Sequence, residues 1–148
     1  MKKRIIALGL LWCLSAVMLQ AARVDTVLVR SAAMNKDVKV VYVLPDKAIG
    51  KQACPVVYLL HGYGGNARSW VQLKPELPQM ADEKGIIFVC PDGKNSWYWD
   101  SPENPAYRYE TFVTSELVKY TDGNYATIPD RKARAISGLS MEIGRASC

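Results

Sequence analysis

Residues 24–30 alternate apolar and polar side chains, the period of a strand with one face on a core and one in water. Residues 37–44 form a second β-rich run closed by Pro45, and the pair is expected as two exposed strands at the start of a sheet. Residues 45–53 are polar and turn-like. Residues 55–60 (Pro-Val-Val-Tyr-Leu-Leu) and 86–90 (Ile-Ile-Phe-Val-Cys) are continuously apolar, as strands covered on both faces are. Between them, residues 72–84 predict a helix interrupted by Pro75 and Pro78 and stopped by Gly85. Pro91-Asp92-Gly93 turns the chain, and residues 94–105 make an aromatic, proline-containing loop. Residues 107–120 have helical periodicity through Phe112, Leu117 and Val118, with Asp122-Gly123-Asn124 at or beyond the helix end. Residues 133–136 form a short strand that runs into Ser137-Gly138-Leu139-Ser140.

Two exposed strands followed by alternating strands and helices predict an α/β fold, parallel at its centre with antiparallel strands at the amino-terminal edge. In such sheets ligands bind beyond the carboxyl ends of the parallel strands. The glycine-rich loop after Leu60, the aromatic loop after Cys90 and the turn after Ile136 all sit at such ends, so three chemically unusual loops are expected on one face.

The first 22 residues read as a secretory leader. Lys2-Lys3-Arg4 is a basic start, an uncharged apolar run of about 15 residues follows, and Leu19-Gln20-Ala21-Ala22 offers cleavage after Ala21 or Ala22. The run is shorter than the roughly 20 residues of a membrane span. A periplasmic or secreted location and no stable membrane span are expected. The formal charge of +5 then shrinks: without the leader's three cations, 16 basic residues face 14 acidic ones, a net of +2. No basic cluster points to nucleic acid. Cys54 and Cys90 need not pair, and two separate thiols beside the sheet are expected.

Gly138-Leu139-Ser140-Met141 has the start of the G-x-S-x-G nucleophile elbow, a tight strand-to-helix turn that lifts a serine Oγ above a sheet. Glu142 stands where the motif has its last glycine. Ser140 is the candidate nucleophile, with Met141 N–H facing the developing oxyanion. His61-Gly62-Tyr63-Gly64-Gly65, directly after a buried strand, has the form of an oxyanion loop and offers Tyr63 N–H as the second donor. His61 is the only histidine. It is assigned to ordering the loop rather than to base catalysis, because in this type of site the acid and histidine follow the serine in the chain. Trp97-Tyr98-Trp99 either lines a substrate pocket through Trp97 and Trp99 or packs the loop on the sheet. Asp92 and Asp100 are expected to order turns. No metal-ligand set is assigned.

Together, Tyr58-Leu59-Leu60-His61-Gly62-Tyr63-Gly64-Gly65, Pro91-Asp92-Gly93, Ser96-Trp97-Tyr98, Asp100-Ser101-Pro102 and Arg134-Ala135-Ile136-Ser137-Gly138-Leu139-Ser140-Met141 resemble the esterase D-like esterases. That group includes feruloyl esterases, S-formylglutathione hydrolases, tributyrin esterases and mycolyltransferases. The resemblance spans residues 24–141. It implies an α/β-hydrolase fold, an acyl-serine mechanism and no cofactor, with Ser140 at the nucleophile position and Tyr63 and Met141 at the oxyanion donors. The expected substrate is a small-molecule or carbohydrate-linked ester.

The resemblance stops at Glu142. Residues 142–148, Glu-Ile-Gly-Arg-Ala-Ser-Cys, are what GAGATCGGAAGAGCGTCGTGT encodes, which from its second base reads as a DNA-sequencing adapter. The expected organisation is a leader over residues 1–22, the amino-terminal part of an α/β-hydrolase domain over 23–141, and a non-native tail over 142–148. The triad acid and histidine are then expected beyond residue 141, and the chain as given is expected to be inactive. Two rival functions remain: acyl transfer to a sugar or lipid alcohol on the same fold, and non-catalytic carbohydrate binding through Trp97 and Trp99.

Overall fold

The computed structural model describes residues 22–142. Residues 1–21 and 143–148, and with them nearly all of the expected leader (1–22) and of the expected tail (142–148), lie outside the described residues. The elements run β1 (Arg23–Ser31), β2 (Lys36–Leu44), α1 (Asp46–Ile49), β3 (Val56–Leu60), α2 (Ser69–Leu73), α3 (Leu77–Lys84), β4 (Ile87–Pro91), α4 (Tyr109–Thr111), α5 (Leu117–Asn124) and β5 (Arg134–Gly138). A π-helical turn, Phe112–Glu116, joins α4 to α5, and short 3-10 turns stand at Arg131–Ala133 and Ser140–Glu142.

The strands form one sheet in the order β1-β2-β4-β3-β5. β1 and β2 pair antiparallel, as do β2 and β4, while β3 is parallel to both β4 and β5. The parallel centre and antiparallel amino-terminal side therefore follow the sequence pattern. One expectation is corrected: β2 is not an exposed strand. Val40, Val41, Tyr42 and Val43 are all fully buried, because β2 lies between β1 and β4 and is covered on both faces. Val40 and Tyr42 join Tyr58, Val89, Phe112 and Leu117 on one side. Val41 and Val43 join Leu59, Phe88, Leu77 and Ala81 on the other. Each large apolar side chain taken fully out of water contributes about 1.5–3 kcal/mol, so these two layers supply most of the sheet's hold on its helices.

Cys54 belongs to the first layer and Cys90 to the second; both are buried and free. Burial pushes the Cys90 thiol up to about 12.

Local differences from the sequence pattern have simple causes. The polar stretch after Pro45 contains a single helical turn, α1. Pro78 opens α3 in its first turn, where a missing N–H costs nothing, so only the Pro75 region breaks the helix into α2 and α3. Gly85 ends α3 in the left-handed conformation, φ 62°. Asp122, Gly123 and Asn124 lie inside α5 rather than beyond it. Tertiary bonds hold that end: Tyr42 OH is 2.8 Å from Thr121 Oγ1, and the Tyr42 and Tyr125 rings stack with centroids 4.2 Å apart.

β5 is an edge strand, and Ile136 on it is 43% exposed. Beside it lies a cavity of about 550 Å³ lined in part by Tyr58, Val113, Val118, Arg134 and Ile136. Among the described residues, Tyr58 OH and Arg134 Nε, buried there, find no hydrogen-bond partner. Among the described residues, no helix is long and apolar enough to cross a membrane.

Candidate active site

Parallel pairing puts β3 and β5 in step, with Leu60 opposite Gly138, so the loop after β3 and the turn after β5 emerge side by side. Leu139 N–H donates to Leu60 O at 3.2 Å and extends the ladder into the turn. The next residue, Ser140, has φ 52° and is exposed. A non-glycine residue in the left-handed region stores about 1–3 kcal/mol, which tertiary structure must hold in place. Met141 follows in the short 3-10 turn with its side chain buried in the core, anchoring the turn from below.

The glycine-rich loop lies directly against this turn. A Cβ on Gly62 would stand 3.3 Å from Leu139 O and 3.7 Å from Ser140 Cβ, so a side chain there would press on the carbonyl that leads into the serine. Gly65 is needed for space as well: a Cβ would fall 2.8 Å from His61 Nδ1 and 2.9 Å from Ser69 Oγ.

Hydrogen bonds fix most of the loop. His61 N–H donates to Tyr98 OH at 3.0 Å, Gly64 N–H to Asn95 Oδ1 at 2.8 Å, and Gly65 N–H to Gly62 O at 3.0 Å. Among the described residues, no partner is found for the N–H groups of Gly62 and Tyr63. Trp70 Nε1 donates to Leu60 O at 3.1 Å and ties α2 to the start of the loop.

His61 is 1% exposed and both ring nitrogens are engaged. Gly93 N–H donates to Nε2 at 2.9 Å, so that nitrogen carries no proton, and Nδ1–H donates to Gly62 O at 2.7 Å. The ring is a neutral brace between two loops, the ordering role expected of it. Asp92 Oδ1 is 3.7 Å from Nε2, too far for a hydrogen bond and facing no proton. Burial works against the Asp92 charge, but hydrogen bonds from Lys94 Nζ at 2.8 Å and Lys94 N–H at 3.0 Å outweigh it and hold the carboxyl below its ordinary range. Asp100 accepts from Thr111 N–H at 3.0 Å and Thr111 Oγ1 at 2.6 Å. Both aspartates order loops, in keeping with the sequence reading.

The aromatic cluster divides. Tyr98 is buried beneath the loop and packs it on the sheet, whereas Trp97 and Trp99 are about half exposed. Trp97 and the exposed Tyr63 ring lie with centroids 6.1 Å apart. The structure thus brings Ser140, Gly62, Tyr63, Met141 and Trp97 to one end of the sheet. Sequence reasoning missed Asn95 and Tyr98 as partners of the glycine loop. Their only signal was their place beyond the neighbouring strand, since a tyrosine between two tryptophans gives no hint of which ring turns inward.

The family model described as "Putative esterase" matches residues 31–142. An acetyl esterase from Caldicellulosiruptor saccharolyticus is 27% identical over 119 residues, covering 75% of this chain and 44% of that protein. Among solved structures, a ferulic acid esterase superposes with a TM-score of 0.72 at 29% identity, over 86% of this chain and 54% of the other. An S-formylglutathione hydrolase from Agrobacterium tumefaciens gives 0.71 at 27% identity, over 82% and 50%. The α/β-hydrolase fold expected from the sequence is the fold of this chain. The chain spans about half the length of these solved structures and less than half of that acetyl esterase.

Proposed function

This chain belongs to the "Putative esterase" family, and we propose that it is the amino-terminal part of a serine carboxylic-ester hydrolase that works through an acyl-serine. The observation that carries the reading is Ser140 itself: exposed, held at φ 52° on the turn beyond a parallel strand, with the Gly62 backbone against it.

Ser140 Oγ attacks the ester carbonyl, and the N–H groups of Tyr63 and Met141 stabilise the oxyanion. The uncommitted Tyr63 N–H supports that role. A donor of this kind is worth about 2.7–4 kcal/mol in the transition state. Collapse of the tetrahedral intermediate expels the alcohol and leaves the acyl group on Ser140; water then attacks the acyl-serine, releasing the carboxylic acid and the free hydroxyl. His61 is unsuited to relay these protons, because its Nε2 lone pair is held by Gly93 N–H inside the protein. The base and its acid therefore belong to chain beyond residue 141. The exposed β5 edge and the cavity holding Tyr58 OH suit coverage by that continuing chain. Trp97 and Trp99 line the approach for a small-molecule or carbohydrate-linked ester.

The amino-terminal leader, cleaved after Ala21 or Ala22, directs the enzyme to the periplasm or outside the cell. Residues 142–148 are foreign to it; finding these seven codons in frame in the genomic DNA would overturn that point. The functional test uses the continuous reading frame through Met141. Turnover of p-nitrophenyl acetate is expected and should fall at least about a thousandfold in Ser140→Ala. Undiminished turnover by that variant would refute the reading.

A further inference from the structure

We propose that Tyr98 and Asn95 are positioning residues for the oxyanion loop: the loop after β4 acts as a jig that sets the Gly62 and Tyr63 N–H groups against Ser140. The inference rests on the ester-hydrolase reading for its kinetic consequence only; the jig itself stands on geometry. Three bonds cross from one loop to the other. Tyr98 OH accepts from His61 N–H, Gly93 N–H donates to the His61 ring, and Asn95 Oδ1 accepts from Gly64 N–H. They bracket Gly62 and Tyr63, whose own N–H groups none of them takes.

The jig is held under tension. Lys94, Trp97 and Tyr98 all have positive φ, at 50°, 55° and 50°. Three such non-glycine residues in five are far outside the usual frequency and mark a loop shaped by its contacts. The contacts are visible: Tyr98 fills the space over Gly93, where a Cβ would meet Cε1 at 2.1 Å, and Ser96 Oγ accepts from Tyr98 N–H at 3.1 Å. The twist at Trp97 and Tyr98 drives the Tyr98 ring inward beneath His61 and leaves the Trp97 ring outside beside Tyr63. Positioning of this kind costs no reorganisation during reaction, which is the condition for an effective oxyanion site.

The test uses the full reading frame and two variants that keep side-chain bulk, Tyr98→Phe and Asn95→Asp, with Asn95→Ala beside them. In Tyr98→Phe the His61 N–H loses its acceptor, and amide hydrogen exchange at residues 61–65 should accelerate by about tenfold with the remainder of the sheet unchanged. kcat should drop about tenfold to a hundredfold while KM stays within about twofold, less than the loss of a donor outright. Asn95→Ala should behave similarly and Asn95→Asp, which keeps the acceptor, should restore most of the rate. Unchanged exchange at 61–65 in Tyr98→Phe would overturn the proposal whatever the activity. Altered exchange with wild-type kcat would overturn the catalytic role. A protein whose turnover survives Ser140→Ala would instead sink the hydrolase reading and leave the exchange result to decide the jig.

A separate observation concerns processing. We infer that the leader is removed between Ala21 and Ala22, leaving the Ala22 ammonium docked on Asp82. Ala22 is 8% exposed and packs with Val41, Val43 and Ala81, and its nitrogen is 2.7 Å from Asp82 Oδ2. Cleavage one residue later would remove a buried side chain and the donor to Asp82 Oδ2, leaving that carboxylate with only the Asp46 N–H on Oδ1 at 2.8 Å. Amino-terminal sequencing of the protein exported from a secreting host should begin at Ala22, and acylation of its amine at neutral pH should be severalfold faster in Asp82→Asn. A chain beginning at Arg23, an uncleaved chain, or an acylation rate indifferent to Asp82 would each overturn the inference.

Discussion

Replacing Gly93 by alanine is the most exposed test of the physical argument. Gly93 has an ordinary backbone conformation, so the substitution acts through space alone. Its new Cβ would stand 2.1 Å from Tyr98 Cε1, 2.4 Å from Cζ and 2.8 Å from the hydroxyl. The atoms it meets belong to the buried Tyr98 ring, packed edge-on against the His61 ring and bonded through its hydroxyl to His61 N–H, so the ring must leave. Overpacking a core site costs about 1–3 kcal/mol. Displacing the hydroxyl also strands the buried His61 N–H, at about 1–3 kcal/mol more. The sum is about 2–6 kcal/mol. For a urea m-value of about 2 kcal/mol/M that is a midpoint shift of about 1–3 M in equilibrium unfolding of the full-length protein. The double-mutant cycle isolates the cause: in a Tyr98→Ala background, Gly93→Ala should cost less than about 0.5 kcal/mol. A single-mutant shift below about 0.3 M, or an equal cost in both backgrounds, would refute the account of how the two loops lock.

Other consequences follow from the same geometry. Ser140→Gly should be more stable than Ser140→Ala by about 1 kcal/mol, since glycine accepts φ 52° without strain while both variants lose turnover; equal melting temperatures would contradict the strained elbow. The Asp92 carboxyl is held below its ordinary value in the folded state, so its contribution to stability is present above the unfolded value of about 4 and is lost as pH falls below it. Asp92→Asn should therefore be less stable near neutrality and lose less on acidification to about pH 3, as followed by urea midpoints; parallel pH profiles would oppose this. The 148-residue chain alone, with β5 unpaired on its outer edge and Ile136 exposed, should associate in light scattering and lack esterase activity; a monodisperse, active monomer would show that the edge needs no cover.

The legible parts of the chain were those where local pattern and tertiary position agree. The unbroken apolar runs of β3 and β4 could only be interior strands, and the glycines after Leu60 and the Gly138-Leu139-Ser140 turn each announced a close backbone approach, which Gly62 and Ser140 then make. The expectation of an exposed strand at residues 37–44 failed, because only Asp37 and Lys39 near the strand's start stay accessible while Val40–Val43 sit where both faces are covered. Pro78 and Gly123 were read as breakers, yet one opens α3 and the other is carried inside α5 by bonds from Tyr42 and Thr121 that no local window contains. The Tyr98–His61 bond joins residues 37 apart and depends on a left-handed backbone at two aromatic residues, a conformation their propensities argue against.

The central claim is that Ser140 is an activated nucleophile in the continuous protein. Treatment of that protein with a fluorophosphonate, followed by peptide mass mapping, tests it most directly, because an idle surface serine does not react. The account predicts a single phosphonyl adduct on Ser140, absent in Ser140→Ala. An unlabelled protein that is folded, or an adduct on any other residue, would contradict it.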